Sequence, residues 1–281
     1  MKLFSDFILP ATVEEATAEL KRLGSEGMPV AGATSLVMAS HNQPKVAVDL
    51  LRILPKGIEA SGDDFLIGAG ARIADLSASA GEGWVLDRVA THFVTQQIRN
   101  MATVGGSIAR VYSWSDLPAP LMALAATITL QGDEDRQFTA DEYFDHQPAR
   151  LFEPGDLLTQ VRVPRLQAGQ GFGYRKERRT AADFSYATAA AWIEVEGKKI
   201  RAARVALSAC VGSSCRLSGV ETAVLGGAGS RKRIEAAVTK MGDCSWRRVE
   251  GYSEDYIRHA ASVAVCDALE QAWAEATGDA S

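Results

Sequence analysis

The chain has 281 residues, of which 47% are hydrophobic and 23% charged, and its formal net charge is −5. This length exceeds one small domain and suits two or three compact units. The negative charge argues against a nucleic-acid partner, and the lack of an apolar run of about 18 residues argues against a membrane span. Asp6 lies where a signal peptide would be apolar, so we expect a cytoplasmic protein.

The first unit, residues 1–56, is predicted to be a β-α-β arrangement. Thr12 and Glu15 have the spacing of a capping box, apolar residues follow at helical intervals, and Gly24 ends the helix. The rest of the unit is predicted to contain short strands over 29–31 and 46–50, with a helical turn over 36–39.

The second unit, residues 57–166, alternates short apolar runs with turn residues. We predict strands over 65–69, 127–131 and 157–163, and helices over 73–80 and 118–126. The segment 68–73 offers a Gly-x-Gly between a strand and a helix, which is typical of dinucleotide loops. Its third glycine position holds Ile73, however, so a plain strand-to-helix turn is the other interpretation.

The third unit, residues 170–281, follows a glycine-rich boundary over 169–173. A hairpin is predicted around 196–198, because alternating apolar strands flank Glu-Gly-Lys. The flanking strands and the later helices are predicted over 187–195, 200–209, 219–225, 231–241 and 253–276.

Cysteine and histidine offer no metal site. Cys210 and Cys215 are five residues apart without a third cysteine at iron–sulfur spacing, and Cys244 and Cys266 are isolated. The four histidines show no pairing at helical spacing. We therefore expect reduced structural thiols, no metal ligands, and no molybdenum or iron–sulfur centre on this chain.

The most informative stretch is the paired glycine Gly105-Gly106, which stands between Thr103 and Ser107. Adjacent glycines let successive N–H groups point into one concavity, and the two hydroxyls add donors beside it. Such a loop suits a phosphate oxygen, although a tight turn without a ligand is the alternative. It is not a Walker loop, because no Gly-Lys-Ser/Thr follows, and it lacks the third glycine of a Rossmann loop.

Two motifs together carry a resemblance to a known family. Residues 97–109 read QIRNMATVGGSIA and are followed by DLP at 116–118, while residues 31–36 read AGATSL. In this order they resemble the FAD-binding (medium) subunit of molybdenum hydroxylases, the xanthine and carbon monoxide dehydrogenase family. Members of that family carry QIRNxGTIGGNIA, DLP and AGGTDL, so Ala33, Ala102 and Ser107 are departures.

The resemblance implies an α+β fold. A two-subdomain FAD-binding domain of the vanillyl-alcohol-oxidase/PCMH type, over 1–56 and 57–166, would precede an α+β C-terminal domain, over 170–281, with an antiparallel sheet plus helices. The implied cofactor is FAD. The residues implied to bind it are Ala31, Gly32, Ala33, Thr34, Ser35, Leu36, Thr103, Gly105, Gly106, Ser107, Asp116, Leu158 and Lys176.

Both glycine loops would give backbone N–H groups to the pyrophosphate of FAD. The alanines at 33 and 102 suit such loops only with negative φ. Asp116 would bond a ribityl or ribose hydroxyl, or else be an ordinary helix N-cap. Leu158 would line the cofactor or belong to the core.

Several further side chains are implied to lie near the flavin ring. Lys176 would favour negative charge on the reduced ring, or be part of a solvated basic turn. Phe184 and Tyr186 are candidates to flank the ring, and Asp183 is expected to orient nearby arginines. The pair Arg99-Asn100 is expected to fix its loop or to face a neighbouring subunit. No residue is assigned a catalytic role, because no nucleophile and base pair is evident.

The implied function is electron transfer within a complex. A [2Fe–2S] small subunit would reduce the FAD, a molybdopterin-binding large subunit would oxidise the organic substrate, and an external acceptor would reoxidise the flavin. A dimer of heterotrimers is expected. Two other classes stay open, namely a self-sufficient flavin oxidase and a flavin-free scaffold subunit. The substrate and the acceptor are not readable from the sequence.

Overall fold

The computed structural model describes residues 3–36, 45–145, 147–242 and 244–279. Its first sheet is parallel, with the strand order β1-β3-β2. The predicted cap at Thr12 is confirmed, since its side chain accepts from the Glu15 N–H at 3.1 Å, while the Glu15 carboxylate accepts from the Ala11 N–H at 2.7 Å, one residue before the cap. The elements of this unit are β1 (Phe4–Ile8), α1 (Val13–Leu23), β2 (Gly27–Val30) and β3 (Lys45–Asp49). The predicted turn over 36–39 lies, beyond residue 36, outside the described residues.

The second sheet is antiparallel, with the order β4-β5-β8-β6-β7. Its central strand alternates buried and exposed residues towards its end, as a half-covered strand does. The strands are β4 (Ile58–Ser61), β5 (Asp64–Gly68), β6 (Thr127–Gln131), β7 (Arg136–Thr139) and β8 (Leu157–Pro164). The helices that lie between these strands along the chain are α2 (Leu86–Thr91), α3 (Gln96–Met101), α4 (Val104–Ala109), α5 (Pro118–Ala123) and α6 (Ala140–Asp145).

The predicted helix over 73–80 is wrong. This stretch contains a single 3₁₀ turn, Asp75–Ser77, and is extended by residue 78. The segment pairs instead with the loop near α4, since the N–H of Ile73 donates to the Ala102 carbonyl at 2.9 Å. A strand-like partner therefore outweighs local helical spacing here.

The third sheet is antiparallel, in the order β12-β11-β10-β9; the C-terminal helices cover one of its faces, and α5 packs on the other. The predicted hairpin is confirmed, because Glu196 pairs with Lys199 around Gly197, which has φ of 63°. The elements are β9 (Gln170–Glu177), β10 (Ala187–Glu196), β11 (Lys199–Ser208), β12 (Cys215–Arg216), α7 (Ser218–Val224), α8 (Arg231–Val238) and α9 (Glu254–Thr277).

The predicted boundary over 169–173 overlaps strand β9. Gly171 and Gly173 are there because α9 lies directly against the strand: a Cβ at either position would overlap a carbonyl oxygen of that helix. In the sequence these glycines suggest a linker. In the structure they allow close packing between a strand and a helix, because they have no side chain.

Two buried clusters hold the molecule together. The first joins the first two sheets and also includes Phe172, Tyr174, Ala190 and Ala206 from one face of the third sheet. The second lies between the opposite face of the third sheet and helices α7 to α9. Among the described residues, no helix combines the length and apolar character that a membrane crossing requires.

Candidate functional site

A cleft of about 840 Å³ opens between the first two sheets. This volume falls in the range of about 300–1,000 Å³ that is usual for ligand pockets. Ten of the thirteen implied cofactor residues line it, namely Ala31, Gly32, Ala33, Thr34, Ser35, Leu36, Thr103, Gly106, Ser107 and Asp116. The other three, Gly105, Leu158 and Lys176, are not among its lining residues.

The loop after β2 presents free backbone donors. Within the described part of the chain, the N–H groups of Gly32, Ala33, Thr34 and Ser35 have no hydrogen-bond acceptor, whereas Leu36 donates to Ala33 at 3.0 Å. The expectation of a negative φ at Ala33 is wrong, because its φ is +58°. Left-handed backbone with adjacent free N–H groups forms the kind of concavity that binds anions.

The second glycine loop differs from its prediction. Gly105 and Gly106 lie in the first turn of α4, and neither has a positive φ. Their N–H groups donate to the Ala69 carbonyl at 2.8 Å and to Thr103 Oγ1 at 3.1 Å, while the Ser107 N–H donates to the Thr103 carbonyl at 3.0 Å. The expected cradle of free N–H groups is therefore absent at these three positions.

The lack of a side chain explains why glycine occupies these two positions. A Cβ at Gly105 would lie 2.7 Å from the Ala69 Cβ, so this position is closed by the second sheet. A Cβ at Gly106 would meet only Thr103 Oγ1, at 2.9 Å, and would otherwise extend into the cleft. Gly106 thus lets a ligand approach the backbone of α4 closely.

Asp116 brings a buried carboxylate to the cleft. Its Oδ2 accepts from the Lys176 ammonium at 2.8 Å, and its Oδ1 has no hydrogen-bond partner among the described residues. Asp116 is not an N-cap, because α5 begins after Leu117 without a side-chain cap. Burial raises the pKa of Asp116, while the charge of Lys176 and its hydrogen bond oppose that rise.

Lys176 lies behind Asp116 and is not solvated. Only 1% of its side chain is exposed, which excludes the basic-turn interpretation. Its ammonium also donates to the His92 carbonyl at 3.3 Å. Burial lowers the pKa of Lys176, and the neighbouring Asp116 carboxylate opposes that shift.

The remaining implied contact is a core residue. Leu158 is buried on β8 opposite Leu130, inside the first cluster, so the structure favours the core interpretation that the sequence left open. The Gly-x-Gly of residues 68–73 lies away from the cleft lining, and the Gly70 N–H donates to the Pro55 carbonyl at 2.7 Å. That geometry is a plain turn.

A cluster of aromatic side chains borders the cleft, and the sequence analysis identified only part of this cluster. Tyr112 and Trp114 stack with ring centroids 4.9 Å apart, and Phe184 lies 5.0 Å from Trp114 with 52% of its surface exposed. All three line the cleft. Tyr186 does not, since it packs on Tyr252 with ring centroids 4.8 Å apart. Two aromatic residues at alternate positions just before Asp116 were the sequence signal that could have predicted this cluster.

Two secondary expectations agree with the structure. Arg99 fixes its own loop, because its guanidinium donates to the Phe93 carbonyl at 2.7 Å and to the Gln96 side chain. Asp183 pairs with Arg179 at 3.3 Å. The described residues contain no group of three or more His, Cys, Asp or Glu side chains that could hold a metal ion.

The donor set fits FAD. The N–H groups that lack acceptors among the described residues suit a pyrophosphate. Asp116 Oδ1, which has no partner there either, suits a sugar hydroxyl, and the glycine surface and aromatic rim suit a flat ring. Fold and site together define a flavin-binding protein of the two-subdomain class.

Comparison with known families identifies the family to which the chain belongs. Residues 3–166 match the family described as the FAD binding domain in molybdopterin dehydrogenase, and residues 172–272 match the CO dehydrogenase flavoprotein C-terminal domain. The chain belongs to this family of FAD-binding medium subunits of molybdenum hydroxylases.

Individual relatives are similar over most of the chain. The carbon monoxide dehydrogenase medium chain of Hydrogenophaga pseudoflava is 30% identical over 278 residues, which cover 96% of this chain and 97% of that protein. The medium chain of Afipia carboxidovorans is 32% identical over 211 residues, covering 72% of this chain and 73% of the relative.

Solved structures agree with the fold. Carbon monoxide dehydrogenase from Hydrogenophaga pseudoflava, in a form lacking the Mo-pyranopterin moiety, superposes with a TM-score of 0.90 at 30% identity. The alignment covers 98% of this chain and 99% of that chain. The chain is therefore an FAD-carrying subunit of an oxidoreductase.

Proposed function

We propose that this chain holds FAD in the cleft and carries electrons from an iron–sulfur subunit to an external acceptor. The observation that supports this best is the coincidence of donors and acceptor in one cleft. Among the described residues, four N–H groups of the loop after β2 have no acceptor, and one carboxylate oxygen of Asp116 has no partner. Bound FAD would supply the chemistry, since a flavin accepts electrons singly or in pairs.

The residues take distinct roles in this proposal. The loop 31–36 would hold the pyrophosphate, and Asp116 Oδ1 would accept from a ribityl or ribose hydroxyl. Thr103, Gly106 and Ser107 would form the wall that the cofactor approaches. Ser107 already donates its hydroxyl hydrogen to the Thr103 carbonyl at 2.8 Å, which leaves its oxygen as an acceptor.

The three residues outside the lining would act one layer behind it. Gly105 packs α4 onto the second sheet, and Leu158 contributes to the core beneath. Lys176 holds the Asp116 carboxylate in place through the 2.8 Å ion pair. Its positive charge favours negative charge on the reduced ring, although Asp116 offsets much of that field.

The proposal extends to assembly. A [2Fe–2S] small subunit and a molybdopterin-binding large subunit would supply the centres for which the described residues offer no ligand cluster. We propose a dimer of such heterotrimers, located in the cytoplasm. Within the chain, we propose subdomains over 1–56 and 57–166 and a C-terminal domain over 170–281.

Purification from the native host tests this proposal. The complex should contain three polypeptides, absorb in the flavin bands, and release FAD on denaturation. Release of FMN would contradict the role of loop 31–36, because FMN has no pyrophosphate. Turnover of an organic substrate by this polypeptide alone would favour the self-sufficient oxidase.

A further inference from the structure

A row of buried polar side chains crosses the third sheet. Lys176 on β9 pairs with Thr188 on β10, which in turn pairs with Ser208 on β11. All three are at least 94% buried, with exposures of 6%, 0% and 2%. Tyr174 and Ala190, two residues along their strands, belong to the first buried cluster, so this row faces the seam with the FAD-binding half.

The seam carries polar atoms without partners. Among the described residues, Thr188 Oγ1, Ser208 Oγ and the Tyr174 hydroxyl accept or donate no hydrogen bond. Buried polar groups are bonded in more than about 90% of cases. Thr188 and Ser208 are directly paired across two neighbouring strands, so their two orphaned hydroxyls indicate a ligand that they share.

The ammonium of Lys176 supports the same conclusion. It has three N–H donors, of which one goes to Asp116 at 2.8 Å and one to the His92 carbonyl at 3.3 Å. Helix α5 is buried throughout and packs on β10 and β11, which separates this seam from bulk solvent. The third donor needs an acceptor inside the seam.

We propose that the seam binds ordered internal water, held between the Thr188 and Ser208 hydroxyls and within reach of the Lys176 ammonium. The ligand is neutral because the Asp116–Lys176 pair already balances the local charge. A cation would be repelled by Lys176, and an anion by Asp116. Water can both donate and accept, as hydroxyls and an ammonium in one place require.

A crystal structure of the native complex and of its Thr188→Val variant tests the proposal. The native seam should show a water at about 2.6–3.2 Å from both Thr188 Oγ1 and Ser208 Oγ. Thr188→Val should lose that water and lower the melting temperature by about 2–4 °C, because the isosteric side chain cannot bind it. Density of a chloride or metal ion at this position would overturn the assignment.

Stability provides the second criterion. If the Thr188 hydroxyl were truly unbonded, Thr188→Val would leave the melting temperature equal or higher, since it removes an unsatisfied polar group. That result would overturn the proposal. The exposed Thr222→Val, whose hydroxyl donates to the Ser218 carbonyl at 2.9 Å, is the control for the same chemical change.

A double variant distinguishes one shared water from separate partners. Thr188→Val with Ser208→Ala should lower the melting temperature little more than the larger single change, because both remove the same water. Fully additive losses would contradict a shared site. The FAD content should stay at one per chain in every variant, so a failure of the cofactor assignment would be seen separately, in the parent protein.

Discussion

At the residue scale, the lack of a side chain has a different consequence at each of three glycines near the cleft. A Cβ at Gly32 would overlap the Met101 carbonyl oxygen, so this glycine lets the two loops touch. Gly105 fits against Ala69 on the second sheet, and Gly106 faces the cleft. Gly106 is therefore the glycine of these three whose side chain would enter the cleft.

Gly106→Val should weaken FAD retention at least tenfold, which corresponds to about 1.4 kcal/mol. The valine would occupy the space beside Thr103 that opens into the cleft. Because its Cβ would lie 2.9 Å from Thr103 Oγ1, the Thr103 side chain must shift and the hydrogen bond that it accepts from the Gly106 N–H weakens, so a melting curve of the variant separates this structural cost from the loss of FAD. Equilibrium dialysis of released FAD measures the change.

Gly70→Val is the matched control. Its Cβ would lie 3.0 Å from the carbonyl oxygens of Leu54 and Pro55, away from the cleft lining. It should lower the melting temperature while FAD stays near one per chain. Folded, FAD-free Gly70→Val together with FAD-replete Gly106→Val would show that the Gly-x-Gly segment is the cofactor loop after all.

The Asp116–Lys176 pair should lower the free energy of unfolding while both groups are charged. Burial raises the pKa of Asp116 above its ordinary 3.8 and lowers that of Lys176 below its ordinary 10.5. Because the folded-state pKa of Asp116 is raised, folding becomes less favourable as the pH rises through that pKa and the carboxyl ionises. Because the folded-state pKa of Lys176 is lowered, folding becomes less favourable as the pH falls through that pKa and the amine is protonated. Between the two shifted pKa values, both losses apply.

The double variant Asp116→Asn with Lys176→Met should therefore equal or exceed the parent in stability at pH 7, by up to about 4 kcal/mol. Each single variant should lose about 3–5 kcal/mol, because it leaves one buried charge unpaired. Urea unfolding of the FAD-free chain measures all four proteins. A double variant weaker than both singles would contradict this account.

At the element scale, β9 and α9 pack directly against each other in the C-terminal half. Helix α9 also covers the free edge of the strand: Glu275 accepts from the Phe172 N–H at 2.8 Å and Gln271 from the Tyr174 N–H at 3.1 Å. Side chains thus satisfy backbone groups that would otherwise be an unpaired sheet edge. The glycines of β9 make this approach sterically feasible.

Gly173→Ala should destabilise the protein by more than about 3 kcal/mol or abolish soluble expression. Its Cβ would overlap the Ala268 carbonyl oxygen, and neither backbone can move away without separating strand from helix. The control is Gly197→Ala in the hairpin turn, where φ is +63° and no atom lies within 4 Å. That change should cost about 1 kcal/mol. Thermal melting compares the two, and similar losses would refute the close-packing argument.

At the scale of the whole molecule, arginines join the two halves. Arg204 on β11 donates to the Met122 carbonyl at 2.8 Å and pairs with Asp141 at 2.8 Å. Arg88 on α2 donates to the Phe172 carbonyl at 2.8 Å and pairs with Glu275. Since both halves also share the first buried cluster, we expect them to unfold in one cooperative step.

Arg204→Met should lower stability by about 1–3 kcal/mol, because it leaves the buried Met122 carbonyl and Asp141 with fewer donors. The control is Arg162→Met, which removes a longer, more exposed pair with Asp64 at 3.5 Å and should cost less than about 1 kcal/mol. Calorimetry would record both. A larger loss in the control would mean that the joint between the halves does not depend on Arg204.

Local patterns in the sequence were sufficient for several elements. The helix cap at Thr12, the hairpin at Gly197 and the long helix α9 follow from spacing and turn chemistry within a few residues. The two glycine motifs, read together, were sufficient for the family and the cofactor. Each of these features depends on neighbours in the chain or on a motif retained as a unit.

Tertiary structure alone determined which groups at the site are available. The N–H of Gly105 is occupied because the Ala69 carbonyl lies opposite it, whereas the N–H groups of Gly32 to Ser35 meet no such acceptor among the described residues. Lys176 becomes an ion-pair partner because β9 places it beside Asp116, 60 residues earlier. Hydrogen bonds between distant segments decide these outcomes, and the sequence encodes them only through the packing of the whole fold.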